Sequence, residues 1–265
     1  MKLIDVVKDC NFKKRTCFIS YITAGDPNKK TSNLILNSLV ENGVDIIELG
    51  IPFSDPISDG PTIQKASERA LKNNMNISAA LDMVKNFRKK HDTPIIIFGY
   101  FNPFLQYGLN KVMKEIKKAG ANGVLIVDLP PEEAYETQQA VNEGGIEMVY
   151  LLAPTSTKER INTVAKLSNS FIYLVSVTGV TGARKKLDKN LEKFISKIKI
   201  ITKKPVCVGF GISTKKHVKD LKKQANGIVI GSAIIKIIEE NLNKNSTMIT
   251  KLSKFISSIK KSTFY

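Results

Sequence analysis

The sequence predicts an α/β protein, a (β/α)8 TIM barrel with an extra N-terminal helix, and three observations lead there. Short β-branched runs alternate with amphipathic helical stretches along the whole chain, the pattern of parallel βα units. The strand-like runs number eight, the count of a closed barrel, within 265 residues, a length that one barrel fills. After the first strand the chain reads AGDPN (24–28), not the glycine-rich turn that a doubly wound dinucleotide-binding sheet carries there.

The elements follow in order. LIDVVKDC (3–10) reads as the extra N-terminal helix. CFISYITA (17–24) is the first strand, and TSNLILNSLVENG (31–43) is the helix behind it, closing on glycine as helix ends prefer. VDIIELGI (44–51) is the second strand, and a helix opens at GPTIQKASERAL (60–71). PIIIFGYF (94–101) and GVLIVDL (123–129) are the third and fourth strands, with NKVMKEIKKAG (110–120) between them as a helix. EAYETQQAVNEGG (133–145) is the next helix, again ending in glycine. EMVYLLA (147–153), FIYLVSV (171–177), PVCVGFG (205–211) and GIVIGSA (227–233) complete the wall. MITKLSKFISSIKKS (248–262) is an extra or final C-terminal helix. No linker or low-complexity segment interrupts the pattern, so one domain over residues 1–265 is expected.

Composition removes several function classes. Apolar residues are 42% and charged residues 25%, the balance of an ordinary globular protein. The longest apolar run, GIVIGSAIIKII, is too short to span a membrane and is broken by Lys236. MKLIDVVKDC carries two aspartates where a secretory signal needs an apolar core, so a soluble cytoplasmic protein is expected. Cys10, Cys17 and Cys207 are too few and too scattered for a disulfide framework, and Cys207 in PVCVGFG reads as a buried free thiol. His91 and His217 have no second ligand at metal spacing, so no metal is expected. The net charge of +17 raises nucleic-acid binding. The lysines, however, are spread over predicted helix faces without interleaved aromatics, which favours a solvated surface and mild steering of anionic substrates.

In this fold chemistry gathers where strands end and βα loops begin. Glu48 stands in IIELGIP, in a strand that should be almost continuously apolar. Alternation sends Ile46, Glu48 and Gly50 to the lumen and Ile47, Leu49 and Ile51 to the helices. Burial raises a carboxylate's pKa, which suits a group exchanging protons near neutrality, although Glu48 also reads as a structural carboxylate. The following loop, PFSDPISDGPTIQ, holds Asp55 and Asp59. Asp59 also reads as the N-cap of the next helix, but paired acids in different settings can divide acid and base roles. Further on, SVTGVTGAR, GFGIS and GSAIIK end the last three strands. Their glycines and the helix beginning at Ser232 make a seat for a phosphate-bearing substrate.

At ELGIPFSDPISDGPTIQ the chain resembles the tryptophan synthase α-subunit family. The match continues through YITAGDPN, GYFNPFLQYG, LIVDLPPEEA, LLAPTST, YLVSVTGVTGAR, GFGIS and GSAIIK, covering nearly the whole chain and weakening over the lysine-rich helices and the C-terminus. The resemblance implies a lyase of tryptophan biosynthesis that cleaves indole-3-glycerol phosphate to indole and glyceraldehyde 3-phosphate by retro-aldol chemistry. It implies Glu48 as general acid/base and Asp59 as the acid holding the indole N–H. Tyr21, Tyr100, Leu125 and Tyr173 match pocket-lining positions, and Thr181 a loop residue that engages Asp59 on closure. Gly182, Gly211, Gly231 and Ser232 match the phosphate cradle, and Pro52, Asp55 and Asn102 the face shown to a β subunit. An α2β2 complex is implied, with no cofactor or metal in this chain and pyridoxal phosphate only in the partner β subunit. Ser58, where alanine is frequent, and Lys185 and Lys186 in the loop after the sixth strand are the departures. The rivals are another phosphate-binding barrel, such as an indole-glycerol-phosphate synthase or an isomerase, a non-catalytic interaction protein, and a basic nucleic-acid binder.

Overall fold

The computed structural model of the chain describes residues 1–175, 189–209 and 211–265. Its strands are β1 (Cys17–Thr23), β2 (Ile46–Gly50), β3 (Ile95–Gly99), β4 (Gly123–Ile126), β5 (Glu147–Met148), β6 (Tyr150–Leu152), β7 (Ile172–Val175), β8 (Val206–Gly209) and β9 (Gly227–Ile230). All pairings among them are parallel, in the order β5-β4-β3-β2-β1-β9-β8-β7-β6. Only Val149 separates β5 from β6, so the two ends of that order are halves of one strand and the sheet closes into a barrel. The first half pairs with β4 and the second with β7. The eight expected runs are all strands. They overshoot at their C-terminal ends because residues such as Ala24 and Ile51 stay buried after the ladder stops.

Behind the sheet lie α1 (Leu3–Phe12), α2 (Lys29–Glu41), α3 (Pro61–Lys72), α4 (Ile77–Arg88), α5 (Phe101–Tyr107), α6 (Leu109–Ala119), α7 (Tyr135–Gly144), α8 (Lys158–Leu167), α9 (Lys189–Ile201), α10 (Lys215–Leu221), α11 (Ser232–Glu239) and α12 (Asn245–Ser262). In α6 the apolar positions Val112, Met113, Ile116 and Ala119 recur at helical spacing and are buried, while Lys111, Lys114, Lys117 and Lys118 are exposed. Gly120, in left-handed conformation, then stops the helix. Lysine on this helix is a solvated face, as expected. Among the described residues no helix is long and apolar enough to cross a membrane.

The N-terminal end of the barrel is plugged. Leu3, Val7 and Cys10 form the buried stripe of α1, and the Leu3 N–H donates to Glu147 Oε1 at 2.7 Å. A repeated device sets the strand starts. Asp45, Asn122 and Asn226 each immediately precede a strand, and each accepts from a backbone N–H at the start of the strand before it. These donors are Phe18 at 2.9 Å, Ile95 at 3.0 Å and Val206 at 2.9 Å. Asn169, shortly before β7, does the same for Met148 at 2.7 Å. At the opposite end, AGDPN owes its shape to Asp26, whose buried carboxylate accepts two bonds from Arg69 of α3, at 2.7 and 3.0 Å.

Candidate active site

Register places Tyr21 of β1 beside Glu48 of β2, and Gly50 beside Phe98 of β3, all on the lumen face. The lumen is crowded by two tyrosines, and glycines make room for them. A Cβ on Gly50 would sit 2.3 Å from Tyr21 Oη, and one on Gly209 would sit 2.1 Å from Tyr173 Oη. Over this floor opens a pocket with about 520 Å³ of empty volume, its open mouth included. Tyr21, Phe98, Tyr173, Ile63, Ile212 and Val229 give it an apolar wall, with the Tyr21 and Phe98 rings edge to face at 5.2 Å. Such a slot fits a flat aromatic system.

Two acids enter that slot. Glu48 is 1% exposed, and its Oε1 is buried with no hydrogen-bond partner among the described residues. Burial therefore pushes its pKa up to about 8. Asp59 is 9% exposed and accepts from Tyr100 Oη at 3.1 Å, while Tyr100 Oη accepts from the Ser58 N–H at 3.1 Å. Burial raises Asp59 to about 6, and the tyrosine's hydrogen bond holds it from rising further. Near neutrality Glu48 therefore favours its neutral acid form more strongly than Asp59 does. One pocket holds a proton donor and a fixed negative charge.

The N-cap reading of Asp59 fails. The cap of α3 is Gly60, with no side-chain cap bond, and the Asp59 carboxylate faces Tyr100 instead. The third group of the pocket is Gly211, Gly231 and Ser232. Gly231 is the N-cap of α11 and carries no side chain to block it, so the first N–H groups of that helix open toward the pocket. Gly211 has φ 78°, a conformation that glycine adopts without strain.

The remaining expected residues divide. Tyr100 reaches the site through Asp59 and does not line the pocket. Leu125 lies beside Phe98 in register but is fully covered and does not reach it. Asp55 and Asn102 are exposed, whereas Pro52 is buried, so Pro52 presents no open surface in the isolated chain. Thr181 and Gly182, with Lys185 and Lys186, lie outside the described residues. Gly60, Ile63, Phe98, Ile212 and Val229 line the pocket without having been singled out. Alternation along β3 and β9 could have flagged Phe98 and Val229; Ile63 and Ile212 sit beyond the strands, where no period points inward.

Known proteins share this fold over nearly the whole chain. A sequence profile described as tryptophan synthase alpha chain matches residues 7–264. The tryptophan synthase alpha chain of Desulfosudis oleivorans is 44% identical over 232 residues, 88% of each chain. That of Dehalococcoides mccartyi is 44% identical over 243 residues, 91% of this chain and 95% of the relative. Among solved structures, tryptophan synthase subunit alpha from Legionella pneumophila superposes with a TM-score of 0.91 at 35% identity, covering 99% of this chain and 98% of that one. A chain of the tryptophan synthase α2β2 complex of Pyrococcus furiosus, described in terms of mutual activation, gives 0.86 at 41% identity over 93% of this chain and 98% of that one.

Proposed function

The chain belongs to the tryptophan synthase alpha chain family, and from that premise we propose how its residues cleave indole-3-glycerol phosphate to indole and glyceraldehyde 3-phosphate. Glu48 protonates C3 of the indole ring, which makes indole a leaving group and builds positive charge toward the ring nitrogen. Asp59 accepts the indole N–H and stabilises that charge as a fixed anion. Glu48, now a carboxylate, takes the hydroxyl proton of the glycerol chain as the C–C bond breaks and the aldehyde forms. Gly211, Gly231 and Ser232, with Gly182, seat the phosphate, and Tyr21, Phe98 and Tyr173 hold the ring. Tyr100 positions Asp59, and Thr181 engages it on closure. Each proton transfer is assigned to a side chain of this chain, and pyridoxal phosphate belongs in this reading to the β subunit.

The observation that carries the assignment is the pair of acids with separated pKa values, about 8 and about 6, in one apolar pocket. Asp59→Asn tests it, because the amide keeps the shape of the side chain without its charge. Indole release should fall on the order of 10²–10³-fold, with binding of a substrate analogue retained. Near-normal turnover would remove the electrostatic role.

The partner in this reading is a β subunit, in an α2β2 assembly. Asp55 is exposed beside Ile57, an apolar side chain that is 83% exposed. The Ile57 N–H bonds to Asp55 O and the Asp59 N–H to Pro56 O, both at 2.9 Å, so a contact on the outer acid shifts the turn that carries the inner one. The mutual activation described for the Pyrococcus furiosus complex supports the same coupling.

A further inference from the structure

At the end of the barrel away from the pocket, groups with no part in the lyase chemistry converge. Cys10 of α1 and Cys17 of β1 are both buried, and their sulfurs and a carboxylate oxygen of Asp45 all lie within 4.8 Å of one another. The chain returns tightly between them: the Arg15 N–H donates to Cys10 O at 3.1 Å, and Lys14 turns the backbone with φ 54°. Arg15 Nη1 meets Asp45 Oδ2 at 2.6 Å, and Lys260 Nζ meets both Asp45 oxygens at 2.8 and 2.9 Å. Two cations thus face the one carboxylate that lies against the thiols. A hydrogen bond from Cys17 holds the Cys10 thiol below its ordinary value, aided by Arg15 and Lys260 and opposed by burial and Asp45. Burial drives Cys17 the other way. Cys10 is thus the more acidic thiol of the pair.

We infer that Cys10 and Cys17 are a redox-active dithiol that closes to an internal disulfide when the protein meets a peroxide. The Cys10 thiolate attacks one peroxide oxygen, an S–O bond forms, and the O–O bond breaks. The hydroxide released takes up the proton that Cys10 had given up. The Cys17 sulfur then attacks the Cys10 sulfenic acid, the S–S bond forms, and the S–O bond breaks as water carries off the Cys17 proton. Two thiols are oxidised by two electrons and one peroxide is reduced to two waters. Side-chain rotation must bring the sulfurs from within 4.8 Å to bonding distance, about 2 Å. The Arg15 and Lys260 side chains are 14% and 18% exposed, so the cation cluster beside the buried thiols reaches solvent. A divalent metal suits the cluster less well. Both Asp45 oxygens already accept from cations, one of them from the Phe18 N–H as well, and a metal would sit against Arg15 and Lys260. Cys207 is the competing partner: a Cβ on Gly227 would lie 2.5 Å from Cys207 Sγ and 3.4 Å from Cys17 Cβ. Among the described residues no cation acts on Cys207, and burial holds its thiol well above the ordinary value.

The test is intact-mass and peptide mapping of the full chain after mild hydrogen peroxide, with alkylation before and after denaturation. The wild-type protein should lose the mass of two hydrogens, yield a Cys10–Cys17 linked peptide without reductant, and keep Cys207 alkylatable; dithiothreitol should reverse the change. Cys207→Ser should behave identically. Cys17→Ser should instead gain one oxygen at Cys10, trapped by dimedone. Three alkylatable thiols after a peroxide dose that oxidises methionine would overturn the proposal, as would a Cys17–Cys207 link. So would zinc bound one per chain that shields both thiols from alkylation.

Discussion

Glu48 and Tyr100 show what one residue contributes and how much of it can be read in advance. The burial of Glu48 is legible because the alternation of its apolar strand turns it to the lumen, and a carboxylate is costly there. Tyr100 as the support of Asp59 is not, since the two are 41 residues apart and meet only through the closure of the barrel. Their coupling makes a pH profile informative. Turnover on substrate needs Asp59 ionised, above about 6, and Glu48 protonated, below about 8, so kcat/KM should peak near neutrality and fall on both sides. Tyr100→Phe removes the bond that holds Asp59 down, so the acidic limb should move to higher pH while the alkaline limb stays. An acidic limb that stays in place would detach Tyr100 from Asp59. Stability gives a second reading. Glu48 titrates near 8 when folded against an ordinary 4.5, so the folded chain holds the extra proton throughout that window and stability declines as pH rises through it. Glu48→Gln should therefore raise Tm by a few degrees at pH 8 and by less at pH 5. Melting curves with no gain at pH 8 would mean that Glu48 is not held neutral.

Elements were legible where one period governs them. All eight apolar runs are strands, and α6 lies where the spacing of Val112, Met113, Ile116 and Ala119 puts it. The break of the fifth strand at Val149 leaves no trace in EMVYLLA, where no glycine or proline marks it. Nor do paired helices after one strand, α3 with α4 and α5 with α6, since loops between helices obey no period. The proposed phosphate seat belongs to this scale: it rests on the start of α11, and among the described residues no lysine or arginine lines the pocket there. Ser232→Asp should put a carboxylate into that seat and lower the affinity for glycerol phosphate at least tenfold, with circular dichroism unchanged. Unchanged binding in calorimetry would move the phosphate elsewhere.

For the molecule as a whole, the barrel holds its two ends to different tasks. Side-chain caps from Asp45, Asn122, Asn169 and Asn226 and the plug of α1 fix the strand starts, and the strand ends are left to the pocket. The loop from Phe53 to Ser58 joins that pocket to the outer face, through the turn that carries Asp55 and Asp59. Asp55→Ala should accordingly reduce activation by a β subunit far more than the basal rate of the isolated chain; equal losses in both would place Asp55 in the chemistry rather than in the coupling. The role of Glu48 is tested most directly by indole release from indole-3-glycerol phosphate, comparing wild type with Glu48→Gln, each bound to a β subunit so that assembly is not the variable. The amide should keep glycerol phosphate affinity and β-subunit binding, and lose on the order of 10²–10⁴-fold in turnover; turnover within a few-fold of wild type would contradict the account.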